Sequence, residues 1–319
     1  MVLDIILIMI GLAVLVIASN MLIEAVVKLA EKMHISKLIV SLTIVALGTS
    51  VPETVVSVMA SISGSSIAFS NIAGSNIINI CLVFGIALLA SNVTIHKNMK
   101  MEIEKMTVVT GIFIILSVIG MGIGKVDGVI FLLMLSIYLV SLFVMSKKDK
   151  ELEQSDEGEA WIYEIGLKIM KKDWIVILLF VGFGCLGLFF GGNLVVNTAE
   201  SIATRLNVNE GIIGATIVAI GTALPELVTT IAALKKKHFD IIIGNVVGSN
   251  IINILLILGI SGIVGKVAIG KFEIEQLVLL GLATAMMYYF TIHKKKIGRK
   301  EGIVFLVYYL ATFILTLNG

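Results

Sequence analysis

The chain has 319 residues, 58% of them hydrophobic and 14% charged, with a net charge of +2 and a mean hydropathy of +1.07. Ordinary soluble proteins carry about 25% charged residues, so these figures exclude a soluble globular enzyme, a disordered chain and a disulfide scaffold. So small and scattered a basic excess also argues against nucleic-acid binding. What remains is a polytopic α-helical membrane protein with room for about ten spans of roughly 20 apolar residues each.

The chain opens on a long apolar run, Met1–Ile17, that holds only Asp4 and lacks the basic start of a signal peptide; it begins the first span. Charged or turn-like breaks then divide the sequence into spans expected at 3–27, 38–62, 67–91, 106–123, 127–146, 174–200, 211–234, 241–264, 275–292 and 302–317. The loop at 147–173 is densely charged and reads as a solvated linker, although Trp161 and Tyr163 would also suit a short interfacial helix. Cys81 and Cys185 lie inside apolar runs and read as small buried hydrophobes, and His34, His96, His238 and His293 fall at span ends. With the N-terminus outside, the inside loops hold 20 of the 24 Lys and Arg and the outside loops only Lys125, Arg205, Lys266 and Lys271. Because cytoplasmic loops collect basic residues, this split places both termini outside.

The sequence repeats itself. Thr43-Ile-Val-Ala-Leu-Gly-Thr-Ser-Val-Pro-Glu53 matches Thr216-Ile-Val-Ala-Ile-Gly-Thr-Ala-Leu-Pro-Glu226 at an offset of 173. Asn71-Ile-Ala-Gly-Ser-Asn-Ile-Ile-Asn-Ile80 matches Asn245-Val-Val-Gly-Ser-Asn-Ile-Ile-Asn-Ile254 at an offset of 174. Each copy covers five spans, and an odd number inserts the second copy upside down. Inverted repeats with a midplane site on interrupted helices characterise secondary transporters. The expected domains are a first repeat at 1–146, the linker at 147–173 and a second repeat at 174–319.

Both prolines of the chain, Pro52 and Pro225, fall mid-span in equivalent positions, four residues after Gly48 and Gly221. Proline removes a backbone donor and disrupts the preceding turn, which predicts freed carbonyls near Ala46–Thr49 and Ala219–Thr222. Each proline is followed directly by a glutamate, and Glu53 and Glu226 are the acids nearest the middle of any expected span. A mid-membrane carboxylate marks an ion or proton path. No Lys or Arg lies deep in a span, so the counter-charge comes from a transported cation or a proton. Ser75 and Asn79 share one helix face, as do Ser249 and Asn253, and both pairs are expected to line the site. Asn76 and Asn250 point elsewhere, and Gly74 and Gly248 suit close helix packing. Carboxylates, carbonyls, hydroxyls and amide oxygens form a hard donor set fit for Ca²⁺ or Na⁺.

Gly48-Thr-Ser-Val-Pro-Glu53 with Asn71–Asn79, and Gly221-Thr-Ala-Leu-Pro-Glu226 with Asn245–Asn253, closely resemble the two α-repeats of the cation/calcium exchanger superfamily, and within it the prokaryotic sodium/calcium exchangers. The resemblance implies Ca²⁺ ligation by Glu53 and Glu226 with the carbonyls of Thr49 and Thr222. It implies Na⁺ sites from Ala46, Thr49, Ser75 and Glu226 on one side and Ala219, Thr222, Ser249 and Glu53 on the other, with Asn79 at the centre. Asn253 stands where potassium-dependent relatives carry Asp, which argues against K⁺ co-transport. Ala223 stands opposite Ser50 and leaves the second half one hydroxyl short.

The expected function is antiport of Ca²⁺ for about three Na⁺ by alternating access, in a multi-pass cell-membrane protein that works as a monomer in the lipid bilayer without a cofactor; the ions are substrates. A Ca²⁺/H⁺ antiporter using the same glutamates is the alternative, although proton-coupled relatives carry Gly-Asn-x-x-Glu around the acid. A channel would build its pore by oligomer symmetry, and an intramembrane hydrolase would need paired Asp or His-Glu-x-x-His, which the sequence lacks.

Overall fold

The computed structural model describes residues 2–62, 67–148, 174–205 and 219–318. Most of the charged loop with Trp161 and Tyr163, the break at Ser63–Ser66, and residues 206–218, which start the seventh expected span, lie outside the described residues.

The described chain is helical: α1 (Val2–Met33), α2 (Lys37–Thr49), α3 (Val51–Ile62), α4 (Ala68–Ala90), α5 (Lys97–Gly120) and α6 (Lys125–Lys148), then α7 (Trp174–Arg205), α8 (Ala219–Thr222), α9 (Leu224–Lys235), α10 (Phe239–Val264), α11 (Lys271–His293) and α12 (Arg299–Asn318). Among the described residues seven helices are long and apolar enough to cross a membrane, or eight if the bent pair α2–α3 is one span. The chain is a multi-pass membrane protein. Helices α4 and α10 are buried almost throughout, whereas α1, α6 and α7 turn side chains such as Met9, Ile137, Val140 and Phe183 outward. With lipid as apolar as the core, this division puts polar groups on the two inner helices and leaves the outer ones to meet lipid.

The two copies meet across a pseudo-twofold, visible in small details. Strand β1 (Val93–Thr94) pairs antiparallel with β4 (Lys296–Ile297), and β2 (Gly122–Ile123) with β3 (Val267–Ala268). At the repeat offset, β1 is the mate of β3 and β2 the mate of β4, so the two pairings are one contact made twice. The Gly124 N–H donates to Asp127 Oδ2 at 2.9 Å, and the mate Gly298 N–H donates to Glu301 Oε2 at 2.8 Å. Each bond caps the start of the last helix of its repeat.

Those last helices cross over. α6 lies on the far half of α10, where a Cβ on Gly128 would sit 2.6 Å from the Gly259 carbonyl. α12 lies on the far half of α4, where a Cβ on Gly302 would sit 2.8 Å from the Gly85 carbonyl. The two contacts are mates, and the halves are interlocked. The first helices, α1 and α7, run antiparallel along each other: Gly11 meets Val195, Ala18 meets Gly187 and Leu22 meets Gly184. Small residues permit this approach, and antiparallel first helices are what inverted copies require.

Candidate cation site

The proline-containing span is broken in both copies. α2 and α3 meet at a 53° bend. The break falls at Ser50 (φ −84°, ψ 12°) and at its mate Ala223 (φ −84°, ψ 0°), each two residues before a proline. The broken pieces leave Glu53 and Glu226 in the first turn of the 12-residue helices α3 and α9, where the positive end of the helix dipole favours a carboxylate. Each glutamate also accepts a hydrogen bond from its own backbone N–H. The sequence reading took the proline as a source of carbonyls and missed this second consequence, the helix start it creates beneath each acid. One expectation changes: the Ala46 carbonyl is not freed. It accepts the Ser50 N–H at 3.1 Å and the Thr49 hydroxyl at 3.3 Å, because the helix breaks after Ser50 and the turn before it stays closed.

The carboxylates are buried, Glu53 at 1% exposure and Glu226 at 0%, and they lie within electrostatic reach of each other. Among the described residues neither has a Lys or Arg partner. Apart from Ser249, their hydroxyl partners come crosswise. Thr222 of the second repeat bonds Glu53 of the first. Thr49, Ser50 and Ser249 surround Glu226, with the Ser50 hydroxyl donating to Glu226 Oε1 at 3.4 Å. Ala223 offers no such hydroxyl to Glu53, so the asymmetry expected from the sequence has a place in the site. Ser249 Oγ lies 3.3 Å from Thr49 Oγ1 and so joins the Thr49–Glu226 group rather than the Thr222–Glu53 group. The remaining candidates are brought in by packing. α8, carrying Thr222 and the backbone of Ala219, rests on the first half of α4 with Ser75, and α9 rests on the turn of α4 that starts beside Asn79.

That turn was not legible in the sequence. α4 widens to π-type hydrogen bonding over Ile78–Val83, and α10 does the same over Asn253–Leu258, so Asn79 and its mate Asn253 each sit at a wide turn in a buried helix. Such turns recur at functional sites. The repeated asparagines do different work. The Asn71 amide donates to Ser57 Oγ at 3.0 Å, and its mate Asn245 donates to Thr230 and to the Glu226 carbonyl while accepting from Thr49 at 3.2 Å. Asn76 and Asn250 join α4 to α10, Asn76 donating to the Asn250 carbonyl at 3.2 Å and accepting from Asn253 at 3.0 Å. With its amide nitrogen held, Asn253 keeps its oxygen free.

The result is a set of buried oxygens with no partner among the described residues: Glu53 Oε2, Glu226 Oε2, Ser75 Oγ, Asn79 Oδ1 and Asn253 Oδ1. A buried unsatisfied acceptor costs about 1–3 kcal/mol, more when charged. Five such oxygens, two of them on carboxylates, are a hard donor set of the kind that suits Ca²⁺ or Na⁺. Among the described residues no group of three or more His, Cys, Asp or Glu exists, so the neutral oxygens complete any shell the two acids begin.

The family model for the sodium/calcium exchanger protein matches residues 3–146 and 176–317. The chain belongs to this family. As a family member it is a membrane antiporter and not an enzyme. It is 30% identical over 311 residues to an uncharacterized membrane protein of Methanocaldococcus jannaschii, covering 95% of this chain and 94% of that protein. It is 27% identical over 364 residues to the sodium/calcium exchanger MaX1 of Methanosarcina acetivorans, covering 96% of each. The fold is similar to solved structures of the sodium-calcium exchanger NCX_Mj, one of them soaked with Na⁺ and Ca²⁺, with a TM-score of 0.85, 28% identity and 98% of each chain covered.

Proposed function

We propose that this family member exchanges Ca²⁺ for Na⁺, one Ca²⁺ against about three Na⁺, at the site built on Glu53 and Glu226. The observation that carries the reading is the crossed arrangement, in which each repeat's carboxylate is served by the other repeat's hydroxyls while keeping one buried oxygen unpartnered. Two ionised carboxylates give an empty site a charge of −2. One Ca²⁺ neutralises it and three Na⁺ leave +1, so the two loads exclude each other by charge and by space. An empty −2 site is costly to carry through lipid, which couples the return of the site to a bound cation and enforces exchange over leak. Thr49, Thr222, Ala219, Ser50, Ser75, Ser249, Asn79 and Asn253 supply the neutral oxygens of these shells, and the Ala46 carbonyl, held in its closed turn, is left out. Ten spans in two inverted halves, 1–146 and 174–319, joined by a cytoplasmic linker with both termini outside and acting as a monomer, is the matching topology; the division of lysines supports it.

The test is Ca²⁺ uptake into sealed vesicles loaded with Na⁺. An outward Na⁺ gradient should drive uptake, and an inside-positive potential should speed it, since one net charge per cycle is worth about 2.3 kcal/mol per 100 mV. Uptake driven at full rate by a pH jump without Na⁺ would instead establish Ca²⁺/H⁺ antiport. The Gly-Thr-Ser-Val-Pro-Glu form of the motif speaks against that outcome.

A further inference from the structure

Outside the central shell, Ser117, Tyr138, Thr229, Ser261 and Thr284 carry buried hydroxyls without a partner among the described residues, and Thr229 is the one on the helix of a central glutamate. Thr229 is fully buried on α9 and its Oγ1 has no partner among the described residues. Five threonines in these helices satisfy themselves: Thr43, Thr54, Thr107, Thr198 and Thr291 each donate to the carbonyl four residues earlier. Thr229 does not. It lies one turn beyond Glu226, and with Ala233 and Lys236 it completes a stripe within about 80° of arc on one helix face.

The last member of the stripe shows what it faces. Lys236, at the end of α9, bonds Glu24 Oε1 of α1 at 2.7 Å. Glu24 is 6% exposed and its Oε2 has no partner among the described residues. α9 packs along α1, and Glu226, Thr229 and the Lys236–Glu24 pair follow one another in that order along α9. The inverted mate of this line has neither the threonine nor the carboxylate. At the repeat offset Thr229 becomes Val56 and Glu24 becomes Asn197. Symmetry of the fold does not require Thr229 or Glu24, so their presence on one side only needs its own cause.

We propose that this stripe is the cations' route between Glu226 and the cytoplasm, with Thr229 and Glu24 as ion-contacting residues and the Lys236 ammonium as the resident cation that closes it. An arriving Na⁺ or Ca²⁺ takes the Glu24 carboxylate from Lys236, passes Thr229 Oγ1 and reaches Glu226. The inference rests on the cation-exchange reading and on the orientation with the 147–173 loop in the cytoplasm.

The experiment uses oriented membrane vesicles, the face of the 147–173 loop being identified by protease cleavage. In a full-length chain with Cys81→Ala and Cys185→Ala, Ala233→Cys is labelled with a membrane-impermeant cationic methanethiosulfonate. Labelling should come from the loop's face only, and Lys236→Met should accelerate it at least about fivefold by removing the plug. Labelling from the opposite face, or a rate indifferent to Lys236→Met, overturns the route. Independently, Thr229→Val and Glu24→Gln should each raise the KM for Na⁺ roughly tenfold when Na⁺ is supplied on the loop's face and leave the other face unchanged. An equal change on both faces, or none, overturns the ion-contacting role. The labelling arm does not depend on which ions are exchanged, so its failure is distinct from a failure of Na⁺/Ca²⁺ exchange in the unmodified chain.

Discussion

At Glu53 and Glu226 the chain holds two buried carboxylates together, without a basic partner among the described residues. Glu53→Gln or Glu226→Gln keeps the shape and removes one charge from the shell, so either change is expected to abolish Na⁺-driven Ca²⁺ uptake while the protein remains folded; near-normal uptake in either variant would move the site elsewhere. Asn245 tests a different role. Its side chain holds the Thr49 hydroxyl, the Glu226 carbonyl and Thr230 together. Asn245→Ala leaves those groups unsatisfied, which predicts a loss of about 1–3 kcal/mol in stability together with weaker Na⁺ binding, checked by thermal unfolding in detergent with and without Na⁺. The glutamates were legible because a mid-span acid after proline has few innocent explanations. Asn245 was legible only as a repeated residue, since nothing in its spacing says that it clamps a threonine of the other copy.

Among the elements, the breaks in the proline-containing helices followed from proline chemistry, and their location at Ser50 and Ala223 agrees with it. The wide turns at Asn79 and Asn253 did not, because they depend on buried neighbours and not on local propensity. Close helix contact is tested at Gly248, where a Cβ would lie 2.8 Å from both the Leu42 backbone and Ala46 Cβ. Gly248→Val should drive α10 from α2 and eliminate transport, with lower thermal stability as the accompanying readout. The turn before α10 gives a pH prediction. Burial, with Lys37 and Lys236 nearby, holds the His238 imidazole down at about 4, against an ordinary value near 6.5. The folded turn favours the neutral ring, so its contribution is fully present above about pH 6.5 and is lost as pH falls towards 4. Thermal stability should decline across that window, and His238→Gln should flatten the decline; an identical pH profile for the variant would assign the acid sensitivity to other groups.

For the whole molecule, the offset of the motifs revealed the symmetry, while the interlocking of the halves was hidden. An offset says which residues are mates but not which half each helix packs against. Because α6 lies on α10 and α12 on α4, each half completes the other's core. Chains ending at residue 148 or beginning at 174 should give no transport when produced singly, whereas co-production should restore Na⁺-driven Ca²⁺ uptake. Transport by one half alone would show that the crossed helices are dispensable.

The paired strands and the matched Gly128–Gly259 and Gly302–Gly85 contacts carry a consequence beyond the present chain. Contacts that occur twice about a twofold are those of an isologous interface, the kind that joins identical subunits. A single five-helix polypeptide able to enter the bilayer in either orientation could dimerise through this same set of contacts, with no linker at all. The covalent connection at 147–173 then does not create the architecture. In the proposed ten-span arrangement it fixes one half in each orientation, and so frees the halves to differ, as Ala223 does from Ser50 and Thr229 from Val56.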